Sequence, residues 1–434
     1  MRKIIAILIC VFTLPAHAAS VIQDTEIESI IAEIIKPVAD AANVPNAKIR
    51  IVGDDNFNAF VSGGTDIYIY TGLLTRIRTP NALRAVIAHE LGHTIGGHMA
   101  QMSARMETEM KRTMIIQALG IGLMLMGGNS SLGAGVMAGA SGVARQSMLA
   151  FSRDEERVAD DMGFDLMVRA GYNPNGFVDV FEQMNDMTEH IESRVNPNSI
   201  NHPLTAERLK NVRDKLTSKD IKSKNFKTDS PAIGKKYDMV RAKLVGYLDD
   251  ETRIKTLYPN TDKTDAAIYA RAIANMRWGN LSGAAVGNRT LISRNPENPY
   301  FYELLGDLEY RYGHYDDSVS AYERALKLRP NSPQIETALA LVLVERENIS
   351  DIRRAAELCR HVILIDPSPM AYWVLARTFD AGDGRADWAM AEYYRLQNNN
   401  DKSREYARRA RGRLKPGTPE YIKSNDILNT ANRD

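Results

Sequence analysis

The sequence predicts two folded regions in series: an α+β domain that is mostly helical with a small sheet, and behind it an all-α solenoid of helix pairs. Three observations carry this expectation. Residues 48–52 and 66–70 are rich in β-branched and aromatic side chains and read as strands. They precede a helix whose Leu83, Val86, Ile87, Leu91 and Ile95 form an apolar stripe. Beyond about residue 230 the pattern is helical, and proline recurs at Pro296 and Pro330, 34 residues apart, which matches the period of a two-helix repeat. A chain of 434 residues has room for two or three domains. We divide it into a leader at 1–18, the α+β domain at 19–230, a helical connector at 231–262 and the repeats at 263–434.

Composition narrows the partners. With 44% hydrophobic and 25% charged residues the chain is ordinary for a globular protein, and a formal net charge of +1 offers no electrostatic case for nucleic acid. The start sets the compartment. Met1, Arg2 and Lys3 make a basic beginning, residues 4–14 are apolar, and Ala16-His17-Ala18 is a small-x-small box, which together read as an export leader cut after Ala18. Ile9 stands before Cys10 where lipidation wants a small residue, so no lipid anchor is expected there. Loss of the leader leaves Cys359 alone, and an internal disulfide cannot form. Stability then rests on packing and any bound metal.

The first mature segment carries Ile27, Ile30, Ile31, Ile34, Ile35 and Val38 at helical spacing, opened by a capping box from Thr25 to Glu28 and kinked or ended at Pro37. Ser62-Gly63-Gly64 is the turn between the two strands. The striped helix begins near Asn81, after Pro80.

That helix contains Ala88-His89-Glu90-Leu91-Gly92-His93. Residues four apart on a helix lie ~40° apart around its axis, so the His89 and His93 rings can converge on one ion with Glu90 beside them. This is the H-E-x-x-H pattern, and the expected cofactor is one Zn2+ per chain. Gly92 is a poor helix former whose missing side chain leaves the metal uncrowded. Catalytic zinc usually takes three protein ligands and leaves a fourth position to water. Residues 152–160 read as a charged helix start on which Glu156 and Asp160 share a face, one able to bind metal while the other supports a ligand histidine. A solvated acidic helix is the bland reading of the same residues, and the upstream motif outweighs it.

In these residues the sequence resembles the M48 family of zinc metallopeptidases, whose motif pair is H-E-x-x-H followed by E-x-x-x-D. The pair here is His89 to His93 and Glu156 to Asp160. Asn58-Ala59-Phe60, Gly63-Gly64, Thr71-Gly72-Leu73-Leu74 and the later His202-Pro203 with Arg208 are similar too, and the resemblance covers about residues 45–210. It implies a zincin-like (gluzincin) protease fold, zinc bound by His89, His93 and Glu156, Glu90 as catalytic base, and Asp160 orienting a ligand histidine. Joined to the leader and the repeats, it implies a periplasmic member whose clients are outer-membrane β-barrel proteins and their assembly machinery.

The chemistry asks for these residue types independently. Zinc lowers the pKa of a bound water to about 7 and polarises the scissile carbonyl. Glu90 takes the water's proton and passes it to the leaving amine. Negative charge on the tetrahedral intermediate needs a second stabiliser, for which His202 and Arg208 are candidates. His202 can equally sit in the fourth position, displace the water and keep the enzyme shut off, and the sequence leaves both roles open. His98, roughly 140° beyond His93, points away from the metal if the helix continues. His190, His314 and His361 read as surface or packing residues.

Residues 113–144 carry no charge. Their apolar part, 113–126, is shorter than the ~20 residues a bilayer crossing needs, and Gly127-Gly128 follows. A helical hairpin over the protease core is the favoured form, ahead of peripheral membrane contact; a Met-rich lid is a third form.

The clearest repeat begins at Pro299. It places Tyr302, Leu305, Gly306, Ser318, Tyr322, Ala325 and Pro330 at the spacing of two interlocking helices of tetratricopeptide type. Stepping back 34 residues gives Ile268, Ala272, Ala284, Leu291 and Pro296. A longer unit runs from Pro333 through Ala355, Cys359 and Pro367, and a degenerate one from Trp388 to Pro416. The run of Arg404, Arg408, Arg409, Arg411 and Arg413 reads as a solvated helix face. Such arrays hold extended peptides or partner surfaces.

The expected function is an exported zinc endopeptidase acting on unfolded, misassembled or stalled proteins, with the repeats recruiting clients or partners. Residues 67–70 are the expected edge strand for an added peptide. The rival is a chaperone-like binding module with a latent or structural zinc site. The intact Glu90 speaks against it, because structural zinc needs no base.

Overall fold

The computed structural model describes residues 20–63, 65–98, 152–190, 202 and 205–430. The expected leader and the segment 113–144 lie outside them. The chain divides into two compact units, one of residues 1–22 with 31–233 and one of residues 23–30 with 234–434. The α+β region followed by an all-α region, as predicted, is what the structure contains.

In the first unit β1 (Ser20–Ile22), β2 (Lys48–Gly53), β3 (Ala59–Ser62) and β4 (Asp66–Tyr70) form a sheet in the order β1-β2-β4-β3. β2 and β4 run parallel, while β1 and β3 pair antiparallel to them. Period-two alternation buries Ile67 and Ile69 on one face, and Phe60 stacks on Tyr68 across the strands at 4.7 Å. β4 is thus hydrogen-bonded on both sides, so residues 67–70 are not the edge strand expected. The edges are β1 and β3, and β3, a four-residue run too short to announce itself in the sequence, folds back onto β4 through Gly63 at φ +61°.

The boundary between the units falls within α1 (Thr25–Ala41). Asp24, not Thr25, caps it. Ile27 N donates to Asp24 Oδ1 at 2.9 Å, and Asp24 N donates to Glu28 Oε1 at 3.2 Å. Pro37 does not end the helix, which runs on to Ala41.

After α2 (Thr71–Arg76), α3 (Pro80–Ile95) starts on Thr79, whose hydroxyl accepts from Ala82 N at 3.1 Å, with Pro80 in the first turn where its missing N–H costs nothing. Every residue of α3 through His93 except Asn81 is buried. α4 (Arg153–Ala170) packs against it and opens on a true capping box, Ser152 with Glu155. Two glycines let these helices approach. A Cβ on Gly92 would lie 2.5 Å from Ala159 O, and one on Gly163 would lie 2.9 Å from His89 N. Gly92 is therefore required by the neighbouring backbone, rather than by space at the metal. Buried Arg84 ties the unit together, donating to Ile34 O at 2.8 Å and to both oxygens of Asp229 at 3.0 and 2.6 Å. α5 (Gly176–His190) and α6 (Ala206–Leu216) complete what frames the site.

Helix Pro231–Leu248, which enters the second unit at Gly234, and Glu251–Leu257 lead into the pairs Asp265–Arg277 with Leu281–Arg294, Pro299–Tyr312 with Tyr315–Leu328, and Pro333–Glu345 with Ile349–Ile365. A short helix, Pro369–Ala376, precedes the pair Gly384–Leu396 with Asn400–Arg413. Gly306 makes room for Tyr322, whose ring would be 2.6 Å from a Cβ there. Ser318 Oγ donates to Gly306 O at 2.8 Å, and Ser403 Oγ to Ala391 O at 2.9 Å, so the degenerate pair keeps the same crossing bond. Cys359 is fully buried and burial pushes its thiol up to about 12, which makes it a packing residue. No described helix is long and apolar enough to cross a membrane.

Candidate metal centre

The burial of α3 and the close crossing of α4 bring two helical i,i+4 pairs face to face. His89, Glu90 and His93 come from α3, Glu156 and Asp160 from α4, and all five are buried. His202 and, on α6, Arg208 close the group. One atom each from His89, His93, Glu156 and His202 lies within 4.8 Å of the others, a set that could hold a metal ion.

The spacing of these atoms tests that fit. His89 Nε2 and His93 Nε2 are 3.1 Å apart, and His89 Nε2 and His202 Nδ1 3.3 Å. Glu156 reaches His202 Nδ1 at 2.8 Å, His89 Nε2 at 3.4 Å and His93 Nε2 at 3.6 Å. Donors about 2.0–2.1 Å from a tetrahedral zinc are separated by roughly 3.3 Å, so the four side chains already stand near the corners such an ion requires. Three ring nitrogens and a carboxylate turned towards one point are a donor set that a zinc ion fits.

The outward atoms are engaged as well. His89 Nδ1 is 2.9 Å from Asp160 Oδ1, and His93 Nδ1 is 2.9 Å from His98 Nδ1. Arg208 donates through Nε and Nη2 to the two oxygens of Asp160 at 2.7 and 2.8 Å. Its Nη1 also lies 2.7 Å from Glu156 Oε2, an ion pair in which no N–H is aligned as a hydrogen bond. Burial alone would depress His89, but the Asp160 and Glu156 carboxylates hold it up at about 9. Burial lowers His93 to about 3. Burial would raise Glu156, yet hydrogen bonds from the three histidines keep it well below the usual carboxylate range. The carboxylates demand positive charge at this point, and a dication meets the demand.

Glu90 Oε1 lies 3.5 Å from His202 Nε2, and burial raises the Glu90 carboxyl. Glu90, His89 and Arg208 line a cleft together with Phe57, Leu73, Val86, Phe177 and Phe181. All seven residues named from the sequence, His89, Glu90, His93, Glu156, Asp160, His202 and Arg208, meet here.

The condition attached to His98, that the helix continue, is not met. α3 stops at Ile95, and Gly97 at φ +67° turns the chain so that His98 returns onto His93. The signal was present in Gly96-Gly97, a pair that ends helices. Among the other histidines, His314 Nδ1 pairs with Glu309 at 2.9 Å and His361 Nδ1 with Glu336 at 2.6 Å, both on exposed or half-buried ground.

The model of Peptidase family M48 matches residues 23–216, and that of the tetratricopeptide repeat matches residues 299–332. The β-barrel assembly-enhancing protease of Escherichia coli (strain K12) is 23% identical over 375 residues, covering 85% of this chain and 75% of that protein. Metalloprotease LoiP of the same strain is 32% identical over 178 residues, 41% of this chain and 65% of that protein. The mitochondrial metalloendopeptidase OMA1 of Schizosaccharomyces pombe is 24% identical over 194 residues, 44% of this chain and 54% of that protein. The chain thus carries a peptidase family M48 domain with a tetratricopeptide repeat behind it, and it is a zinc-dependent metalloendopeptidase.

Proposed function

We propose that His89, His93 and Glu156 hold the zinc, that Glu90 moves the protons, and that the enzyme cleaves unfolded or misassembled proteins in the periplasm. The observation that carries the ligand assignment is the tetrahedral spacing of the inward donors, with buried Glu90 beside them. When bound, zinc supplies Lewis-acid polarisation of the scissile carbonyl and activation of a water. Glu90 accepts that water's proton at a carboxylate oxygen and delivers it to the leaving amide nitrogen, a task suited to a carboxyl that burial has raised. Asp160 fixes the His89 ring, and Arg208, whose donors face Asp160 and Glu156, positions both carboxylates. The apolar cleft walls receive a hydrophobic side chain of the client, and β3 offers backbone pairing to the segment around it.

His202 stands at the fourth corner, where the attacking water belongs, so this conformation is the closed one and its opening requires His202 to withdraw. Four protein donors would equally suit a purely structural zinc in a chaperone-like module, but such a site has no use for Glu90. The leader expected at residues 1–18 and the likeness to the Escherichia coli protease support a periplasmic location. The likeness to the β-barrel assembly-enhancing protease of Escherichia coli supports outer-membrane β-barrel proteins as clients and their assembly machinery as a partner of the repeats.

The test compares zinc content and casein cleavage in the starting protein, Glu90→Gln and His202→Ala. Glu90→Gln should keep about one zinc per chain and lose cleavage by 10²-fold or more, and His202→Ala should cleave faster. Undiminished cleavage by Glu90→Gln would defeat the catalytic assignment, and a His202→Ala protein slower than the starting one would defeat the closed state.

A further inference from the structure

The turn that ends α3 brings another imidazole to the site from outside the ring of inward donors. The His98 ring lies against the Gly96 backbone, where a Cβ would come within 2.6 Å of His98 Nε2 and 2.8 Å of Cε1. Gly97 supplies the left-handed φ that reverses the chain. His98 is 4% exposed, its Nδ1 is 2.9 Å from His93 Nδ1, and the two ring centroids are 5.0 Å apart at 73°. Two glycines and a buried polar ring form a built contact.

We propose that His98 is the positioning residue for His93, the counterpart of Asp160 behind His89; this rests on His93 being a zinc ligand. His93 turns Nε2 inward, 3.1 Å from His89 Nε2. For that nitrogen to present a lone pair to a cation, the ring's proton must be on Nδ1. The Nδ1–H then donates to His98 Nδ1, and His98 carries its own proton on Nε2. The contact selects the tautomer of His93 and fixes the rotation of its ring about Cβ–Cγ.

The two histidines are supported differently. Behind His89 stands a carboxylate shared with Arg208, whereas behind His93 stands a second imidazole. An imidazole acceptor sets direction through one N–H···N contact rather than through a carboxylate. Outer partners of this kind typically change metal affinity 10–100-fold when removed.

The experiment uses the full chain with His98→Phe, which keeps the ring's volume and removes its nitrogens, and His98→Gln, which restores an acceptor. Zinc dissociation constants are read by chelator competition, and the cobalt(II)-substituted proteins by their d–d absorption, with far-UV circular dichroism of the metal-free proteins as the folding control. His98→Phe should bind zinc about 10–100-fold more weakly with an altered cobalt spectrum, and His98→Gln should recover most of the affinity. A folded His98→Phe with unchanged affinity and spectrum overturns the role of His98 alone. A starting protein that takes no zinc overturns the ligand assignment, and this role with it. Should His98→Phe not fold, the starting protein labelled with 15N-histidine and loaded with zinc decides. Scalar coupling across the N–H···N bond from His93 to His98 supports the role, and its absence, or a His93 proton on Nε2, overturns it.

Discussion

Each unit buries an ionic cluster of several side chains, one around Lys243 and one around Glu156, and these two solve the same problem in opposite ways. In the repeat unit Lys243 sits among three carboxylates, with Nζ 2.8 Å from Asp24, 3.1 Å from Glu26 and 3.3 Å from Glu303. Tyr269 donates to Glu26 at 2.9 Å, and Gln334 donates to Glu303. Here the cation is part of the chain and occupies the centre of its acceptors. In the peptidase unit Arg208 lies to one side, on Asp160 and Glu156, and the centre is ringed by inward lone pairs. A buried cluster built around a cation of its own chain is architecture. One whose centre is left to an imported ion has been kept for chemistry.

Removing each cation tests the contrast most severely. Lys243→Met leaves Asp24, Glu26 and Glu303 buried together without a partner, and should destabilise the protein by about 3–5 kcal/mol while zinc content stays at the starting level. A loss below about 1 kcal/mol in a urea titration would mean that water already reaches the cluster. Chelation should give the complementary result. Zinc present at about 100–1,000 times its dissociation constant contributes roughly 3–4 kcal/mol. Its removal should therefore speed hydrogen exchange in α3 and α4 and leave residues 299–328 unchanged. Equal loss of protection in both places would show that the two clusters are not independent.

The contrast also explains what the sequence disclosed. His89, Glu90 and His93, then Glu156 and Asp160, were legible because a helix fixes the geometry of residues three and four apart, so spacing alone predicts convergence. The Lys243 cluster gathers positions 24, 26, 243 and 303, which share no local period, and nothing in the sequence announced it. The same limit explains β3, which is visible only through its pairing with β4, and the closing turn to His98, where a helical extrapolation ran past Gly96-Gly97. Gly92 was recognised as anomalous, but its cause lies on α4, across a crossing that sequence does not show. Gly92→Ala sharpens the point. The added Cβ, 2.5 Å from a backbone oxygen of α4, should cost about 1–3 kcal/mol and weaken zinc binding by moving Glu156 away from His89 and His93. A variant that is destabilised yet binds zinc normally would show that the crossing serves stability alone.

The smallest effect separates the clusters by pH. Three carboxylates facing one lysine cannot all ionise cheaply, and burial pushes Glu303 up to about 8, against the pull of Lys243 and with Asp24, Asp307 and Glu26 adding to the rise. The folded carboxyl therefore keeps its proton where the unfolded one, near 4.5, has lost it. The folded state binds more protons between these values, so this contribution is complete below pH 4.5 and is lost as pH rises through 8, at up to ~1.4 kcal/mol per pH unit. Glu303→Gln mimics the protonated form at every pH. Its urea midpoint should match the starting protein near pH 5 and exceed it at pH 8, flattening the slope between them. Parallel slopes for the two proteins would move the retained proton to Glu26, which burial also raises and which Tyr269 and Lys243 hold by hydrogen bonds.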